Sequence, residues 1–287
     1  MKPAGLRRQT SAGGSRVVAR SAEAGVPGGF ALPPAGILLL FFVLPPVALI
    51  LRWAGFDASA ARTVSSRAIL EAMALSLWTT AITTVIVFVF GTALAYLLSR
   101  GSFPFVRALS VFVEMPIVMP PAVAGLALLT AFGRRGLLSG VLTLANVRVT
   151  FTPLAVILAQ LFVSSPYYIR AAQVRFSAIP RELGEAAGLD GAGSLQTFLK
   201  VTLPISRRAL LSALMLTWSR ALGEFGATIF VAGNLPRRSQ TMTLLVYSAL
   251  ERDLRACFTV AILLLAMAAA ALGAVRYLAH LDRNEDS

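Results

Sequence analysis

The sequence predicts an all-α protein that crosses a membrane several times. Hydrophobic residues fill 57% of the 287 positions, and the mean hydropathy is +0.76. Charged residues fill 14% of the positions, well below the roughly 25% that is usual in soluble domains. The apolar residues gather into six runs, each close to the roughly 20 residues that a membrane-spanning helix needs. We therefore expect a polytopic membrane protein with six transmembrane helices.

The predicted spans follow one another along the chain. They cover residues 31–52, 72–99, 106–132, 151–168, 209–232 and 256–280. The second and third runs are longer than a bilayer requires, which indicates tilt or an additional amphipathic turn. Within the third run, the segment Met119-Pro120-Pro121 should kink or break the helix, because proline removes helical hydrogen bonds. Such a break either forms a constriction in a pore or only shapes helix packing.

The two ends of the chain are expected to be tails. Residues 1–30 are mostly Gly, Ser, Ala and Arg, which predicts a disordered basic cytoplasmic tail, and residues 281–287 form a short C-terminal tail. A secretory signal is the alternative, because Ala58-Ser59-Ala60 has the form of a cleavage site. The basic leader is too long for that, and Pro45 and Pro46 interrupt the apolar run, so we favour an uncleaved first span.

The distribution of basic residues predicts the orientation. With the N-terminus inside, 15 of the 26 Lys and Arg residues lie at cytoplasmic ends of spans and 10 at outer ends. An excess of Lys and Arg marks the cytoplasmic side, so both termini and the segment 177–204 are expected there. The net charge of +13 is dispersed among loops rather than gathered on one face, which argues against a nucleic-acid partner.

Several kinds of chemistry are excluded by residue type. The single Cys257 and the single His280 exclude an internal disulfide and leave too few ligands for a His/Cys metal site. Lys2 and Lys200 do not follow a glycine, so the sequence contains no phosphate-binding loop of the G-x-x-x-x-G-K-[ST] form. We expect no catalytic residue and no cofactor in this chain, and any ATP must be used by another chain.

The segment 177–204 is the most informative polar stretch. Pro180 suits a first helical turn, and a helix over 181–187 should stop where Gly188 or Gly191 adopts a left-handed conformation. Ser194 should cap a second helix over 195–201. The small residues Ala186 and Ala187 allow another protein to approach closely, and Glu185 offers it a charge. The fixed positions of the pattern include Glu185, Ala186, Ala187, Gly191, Leu203 and Pro204, and Gly188 and Asp190 between them are further candidate contact residues.

This pattern resembles the cytoplasmic loop of permeases in ABC importers, where a partner ATPase grips a short helix. Five further segments are similar to the molybdate/tungstate branch of that family, with the sulfate permeases as close relatives. These segments are 75–77, 91–96, 120–125, 132–137 and 220–229, and the resemblance extends from about residue 35 to residue 275.

The resemblance implies a permease domain over residues 31–280, with the six-helix fold of small importer permeases. Two copies would line one pore in the lipid of a bacterial inner membrane. Two ATPase subunits would use ATP, and an extracytoplasmic binding protein would deliver an oxyanion, most simply molybdate, or else tungstate or sulfate. The alternatives are a secondary transporter or channel driven by an ion gradient, and a membrane scaffold that transports nothing.

Ionisable residues within a span indicate where a pore could lie, because they are costly there. Arg220 and Glu224 are four residues apart, so on a continuous helix they share one face with Thr228 and can pair. Gly223 and Gly226 keep the adjacent backbone accessible. This face either lines the pore or holds a structural ion pair between helices. Glu114 is interpreted as a capping or interhelical partner.

Overall fold

The computed structural model describes residues 28–55, 65–101 and 104–284, and every regular element in these ranges is a helix. The chain divides after Arg52 into two compact units. The described part of the first unit belongs to α1 (Gly28–Ala54), which contains four prolines and includes an 18-residue stretch with a mean hydropathy of 2.5. This helix matches the first predicted span. It begins at Gly28, so the last three residues of the predicted tail are helical, and residues 1–27 lie outside the described ranges.

The second unit contains the other helices. In chain order they are α2 (Ser66–Ile86), α3 (Thr92–Arg100), α4 (Val106–Val118), α5 (Pro121–Phe132), α6 (Ser139–Leu144), α7 (Pro153–Ser177), α8 (Arg181–Leu189), α9 (Ser194–Thr197), α10 (Leu203–Leu222), α11 (Gly226–Ala232), α12 (Met242–Arg252) and α13 (Leu254–Asn284). A π-helical turn, Val87–Gly91, joins α2 to α3, and another, Phe198–Thr202, joins α9 to α10. The predicted C-terminal tail is helical as far as Asn284.

The predicted count of six spans is not reproduced exactly. Four helices in the described ranges are long and apolar enough to cross a membrane: Leu32–Ala54, Ser66–Arg100, Pro153–Ser177 and Leu254–Gly273. The pair α4 and α5 makes a fifth candidate, bent by 118° at the predicted proline break. The predicted span 209–232 consists of α10 and α11, which separate at residues 223–225. Arg207, Arg208 and Arg220 lie in α10 and reduce its apolar length.

Among the described residues of the second unit, the buried apolar side chains form three clusters. The first joins α3, the C-terminal half of α7 and α10, and it includes Leu98, Tyr168, Phe176 and Leu210. The second joins α5, the N-terminal half of α7 and α11. The third lies between the start of α2, α12 and α13. Helix α7 is therefore shared by the first two clusters, and Pro166 lies in α7 between them.

One face of α2 is polar and buried against α7. Thr83 Oγ1 donates to Gln160 Oε1 (3.0 Å), and Gln160 Nε2 donates to Thr79 Oγ1 (3.2 Å). Ser76 Oγ accepts from the backbone N–H of Met242 (2.9 Å), which ties α12 to the same face. Buried polar groups need such partners, so these bonds fix the register of α2 on α7. The opposite face of α2 is apolar and exposed, and it includes Leu70, Leu77, Trp78, Ile82 and Val85.

Candidate functional site

The connection between α7 and α10, residues 178–202, is the first candidate site, and we call it the α7–α10 loop. Its helix α8 begins after Pro180, which occupies the N-cap position. The helix reaches Leu189, two residues beyond the predicted end. Gly188 therefore lies inside the helix, and the predicted alternative that the helix stops at Gly188 is wrong.

Gly191 reverses the chain after α8. Its φ of +83° is in the left-handed region that only glycine adopts without strain. The N–H of Gly191 donates to Gly188 O (3.0 Å), and the N–H of Ala192 donates to Ala187 O (2.9 Å). These two bonds form the Schellman arrangement, which satisfies the last carbonyl groups of a helix. The second predicted stop, at Gly191, is the one that the structure contains.

The return to α10 differs from the prediction in one respect. Gly193, not Ser194, occupies the N-cap of α9, and no side chain caps the helix. The chain then stays helical through the π-helical turn into α10, so Leu203 and Pro204 lie at the start of a long continuous helix. Serine was expected at the cap because its hydroxyl accepts backbone N–H bonds, but the extended conformation needed there falls one residue earlier.

An aromatic cluster anchors this loop to the body of the second unit. The Phe198 ring lies 4.8 Å from the Tyr96 ring and 6.2 Å from the Phe176 ring, centroid to centroid. Arg175 Nη2 adds a hydrogen bond to the backbone carbonyl of Ile205 (2.9 Å). The anchor connects the loop to α3 and α7, and sequence reasoning missed it because these aromatic residues are distant in the chain.

The outer surface of the α7–α10 loop is exposed and partly apolar. Glu185, Ala186 and Asp190 are exposed, and Ala187 is partly so. Four leucines of the same segment are also exposed: Leu183 (42%), Leu189 (91%), Leu195 (69%) and Leu199 (50%). Sequence reasoning missed these leucines, although leucine in a polar glycine-containing segment was the available signal. A charged helix flanked by exposed leucines is suited to contact another protein.

The second candidate site is the break between α10 and α11. Arg220 Nη1 lies 2.8 Å from Glu224 Oε2, so the predicted ion pair is present. The other carboxylate oxygen, Oε1, accepts from the backbone N–H of Ala227 (2.8 Å) at the start of α11. Thr243 Oγ1 donates to the backbone carbonyl of Glu224 (2.8 Å). Glu224 therefore links α10, α11 and the beginning of α12.

The prediction that Arg220, Glu224 and Thr228 share one face of a continuous helix is wrong. Helix α10 ends at Leu222, so Glu224 lies in the break and Thr228 belongs to a different helix. Thr228 is fully buried, and no hydrogen-bond partner for its hydroxyl is found among the described residues. Gly223 is exposed, and a Cβ there would meet only Ser219 O at 3.6 Å, an ordinary contact. The Glu224 side chain is only 2% exposed, whereas that of Arg220 is 30% exposed.

Two predicted pore candidates from distant parts of the chain, Pro121 and Gly226, lie in direct contact. A Cβ built on Gly226 would lie 2.4 Å from Pro121 Cβ, so the start of α11 presses directly on the start of α5. A Cβ on Gly125 would lie 2.8 Å from Ala227 O, which shows equally close packing one turn later. Met119, at the end of α4, packs against the same apolar cluster. Pro120 is exposed and occupies the N-cap position of α5.

Glu114 takes the interhelical role that the sequence predicts. Its Oε1 lies 3.2 Å from Arg170 Nη1, which joins α4 to α7.

Comparison with known proteins identifies the family. The model of the family "binding-protein-dependent transport system inner membrane component" matches residues 88–285. A probable molybdenum ABC transporter permease of Haloferax volcanii is 36% identical over 244 residues, which are 85% of this chain and 87% of the relative. A probable sulfate transport system permease of Helicosporidium sp. subsp. Simulium jonesii is 38% identical over 191 residues, 66% and 71% of the two chains.

The fold has a counterpart among solved structures. A bacterial alginate ABC transporter, crystallised in complex with a periplasmic protein bound to an alginate pentasaccharide, matches with a TM-score of 0.70. The match covers 90% of this chain and 93% of that chain at 18% identity. Together with the apolar helices and the exposed α7–α10 loop, these matches lead to one conclusion. The chain is a multi-pass membrane protein that belongs to the family of binding-protein-dependent transport system inner membrane components.

Proposed function

We propose that this chain is the permease subunit of an ATP-driven importer that carries molybdate across the cell membrane. Two copies form the pore, two ATPase subunits bind the paired α7–α10 loops, and an extracytoplasmic binding protein delivers the anion. The observation that carries the proposal is the exposed α8 helix, which ends in the Gly191 turn and bears Glu185 beside exposed leucines. The chain supplies the path and the partner ATPase supplies the energy.

The helices that follow the loop provide a route for mechanical coupling. From Ser194 to Leu222 the chain is helical without interruption, through α9, the π-helical turn and α10. At 1.5 Å per residue, this is a rod of roughly 40 Å. One end carries Phe198, which anchors the loop, and the other end reaches the Glu224 break. A movement imposed on α8 therefore reaches the contact between α11 and α5, where the two sets of pore candidates meet.

The substrate proposal depends on the relatives. The molybdenum permease of Haloferax volcanii aligns over 85% of this chain, against 66% for the sulfate permease, and the identities are similar. The greater coverage supports molybdate as the substrate. Molybdate, tungstate and sulfate are all tetrahedral dianions, so the binding protein must perform much of the selection. Arg220, the partly exposed partner of Glu224, is a candidate for attracting the anion.

The orientation follows from the same assembly. An ATPase works on the cytoplasmic side, so the α7–α10 loop lies in the cytoplasm. The distribution of Lys and Arg residues supports a cytoplasmic position for both termini as well. The start of α7 and the 233–241 segment then lie on the outer side, where the binding protein docks.

The experiment that tests this function is anion uptake by the complete complex in proteoliposomes. Permease, ATPase and binding protein are reconstituted together, and uptake of labelled molybdate, tungstate and sulfate is measured with and without ATP. We expect ATP-dependent uptake of molybdate, and no ATP hydrolysis by the permease alone. Sulfate uptake without molybdate uptake would contradict the proposal that molybdate is the substrate. Uptake by the permease alone on an ion gradient would contradict the mechanism.

A further inference from the structure

A groove of about 720 Å³ lies at the end of the second unit opposite the α7–α10 loop. It is lined by α2, the first residue of α7 and the segment between α11 and α12. We call it the α2 groove and define it by the residues Arg67, Glu71, Leu75, Trp78, Arg237 and Arg238. None of these residues belongs to the α7–α10 loop or to the α10–α11 break, and Arg237 and Arg238 lie in the outer 233–241 segment.

The outer end of the α2 groove is basic. Arg67 Nε lies 2.8 Å from Glu71 Oε1, and Arg237 Nε lies 3.6 Å from Glu71 Oε2. With Arg238, the described residues that line the groove include three guanidinium groups and one carboxylate, which gives them a net charge of +2. Each guanidinium has five N–H donors, so one bridging carboxylate leaves donors on Arg67 and Arg237 for a second anion. Glu71 thus holds two arginines side by side.

The inner end of the α2 groove is apolar. Leu75 and Trp78 follow Arg67 along the same helix, and Trp78 lies 11 residues beyond Arg67. At 1.5 Å per residue this is a separation of roughly 16 Å. Trp78 is 42% exposed, and Leu77 beside it is 41% exposed. Cations above an exposed apolar helix surface match a phospholipid, whose phosphate lies at the membrane surface and whose acyl chains lie below.

We propose that the α2 groove binds an anionic phospholipid. Arg67 and Arg237 contact the phosphate, Arg238 adds to the local positive charge, and an acyl chain follows Leu75 to Trp78. The net positive charge favours phosphatidylglycerol over phosphatidylcholine, because the choline group of the latter cancels its own phosphate charge. The backbone of Arg237 has a φ of +66°, an uncommon conformation for a residue other than glycine, and it belongs to the basic end of the groove. The proposal requires only a membrane protein and does not depend on the identity of the transported anion.

Trp78 provides a direct test, because it lines the α2 groove and the chain contains only three tryptophans. The variant with Trp53→Phe and Trp218→Phe leaves Trp78 as the single fluorophore. The full chain is reconstituted in mixed vesicles of phosphatidylglycerol and phosphatidylcholine, with bromine on the chains of one lipid or the other. Bromine quenches tryptophan only at short range, so the two quenching curves give the lipid preference beside Trp78.

We expect phosphatidylglycerol to be preferred about fivefold, the effect of a basic residue beside an anionic lipid. Arg67→Gln with Arg237→Gln should abolish the preference, whereas the control Arg134→Gln with Arg135→Gln should keep it. Equal quenching by the two brominated lipids would overturn the proposal. So would the absence of quenching by either lipid, because another protein segment would then cover the groove. A preference that survives Arg67→Gln with Arg237→Gln would also overturn it.

A second measurement covers the case in which the tryptophan variant does not fold. The lipid that remains bound to the purified chain is identified by native mass spectrometry, with the natural tryptophans in place. Retained phosphatidylglycerol should be lost with Arg67→Gln and Arg237→Gln and kept with the Arg134→Gln and Arg135→Gln control. Equal retention in the two variants would refute the site.

Discussion

Both carboxylate oxygens of Glu224 are used within the protein, one by Arg220 and the other by the backbone N–H of Ala227. This residue therefore does two things at the α10–α11 break. It neutralises an arginine, and it satisfies an N–H at the start of α11, where a helix has no internal acceptor. The Thr243 hydroxyl donates a hydrogen bond to the backbone carbonyl of Glu224, which adds α12 to the junction. The geometry favours the structural interpretation of the carboxylate, and the Arg220 side chain stays partly exposed.

Removal of the arginine should destabilise the protein more than neutralisation of the glutamate. In Arg220→Gln, a carboxylate that is only 2% exposed loses its charge partner, at a cost of about 3–5 kcal/mol. In Glu224→Gln, Arg220 keeps its access to water and the amide oxygen still accepts from Ala227, so the cost should be smaller. The measurement is the thermal unfolding midpoint of each variant in detergent, together with anion uptake per folded molecule.

The charge-swapped variant tests whether the opposite charges alone stabilise this junction. Arg220→Glu combined with Glu224→Arg keeps the opposite charges, but an arginine cannot accept a hydrogen bond from Ala227. We therefore expect the double variant to stay destabilised. Full recovery of the unfolding midpoint would show that the charge pair alone matters and that the bond to Ala227 contributes nothing.

Gly226 should not tolerate a side chain, because Pro121 lies against it and leaves no room for one. Gly226→Ala places a Cβ 2.4 Å from Pro121 Cβ, and overpacking of this kind costs about 1–3 kcal/mol. Gly223→Ala is the matched control, since its Cβ would make only an ordinary contact with Ser219 O at 3.6 Å. Thermal unfolding should distinguish the two variants. Equal midpoints would mean that α5 and α11 separate at little cost.

At the scale of elements, the α7–α10 loop is joined to the core of the second unit by the buried Ile179 and by Phe198. Its ring contacts Tyr96 of α3 and Phe176 of α7, so a force on α8 reaches both helices. The exposed leucines on the outer side of the loop do not contribute to this anchor. The loop thus has an inner side that holds it in place and an outer side that remains available to a partner.

Phe198→Ala should weaken the anchor without changing the outer surface. We expect the ATPase to bind and hydrolyse ATP while anion uptake falls, because the loop can then move without moving α3 and α7. Phe198→Leu is the control, since it keeps an apolar side chain of substantial size. The ratio of anion transported to ATP hydrolysed should drop for the alanine variant and stay close to the natural value for the leucine variant. Parallel loss of ATPase binding in both variants would argue against a separate anchoring role.

The elements show which features a sequence reveals and which it does not. The Gly191 turn could be predicted because a left-handed residue after a helix is a local property of glycine. The α10–α11 break could not, because Arg220 and Glu224 have the spacing of a pair on a continuous helix. The contacts that stabilise the break come from Ala227 and from Thr243, which is 19 residues away.

The proline break between α4 and α5 shows a similar division. Pro120 and Pro121 predict where the helix stops, because proline cannot donate the next hydrogen bond. They do not predict the bend of 118° between the two helices. At the bend, Gly226 packs against Pro121, and a contact between such distant parts of the chain is not visible in a local pattern.

At the scale of the whole molecule, membrane insertion and family membership were predictable, but the number of spans was not. Hydropathy depends on composition, so α1, α2, α7 and α13 were recognisable. The arginines of α10 lie within an otherwise apolar run, and the structure divides that run into α10 and α11. Both pieces are covered by other helices, because α10 packs against α7 and α11 packs against α5 and α7.

In the proposed function, the α7–α10 loop carries the action of a partner ATPase to the membrane helices. The most direct test is the amount of molybdate imported per ATP hydrolysed by the complete complex in proteoliposomes, compared between Gly191→Val and Gly193→Val. Valine at position 191 must adopt a φ of +83°, and strain of this kind should reduce the molybdate imported per ATP hydrolysed about tenfold. Valine at position 193, where φ is −69°, should leave uptake close to normal. Normal assembly and normal uptake with Gly191→Val would show that the Gly191 turn is not needed for coupling.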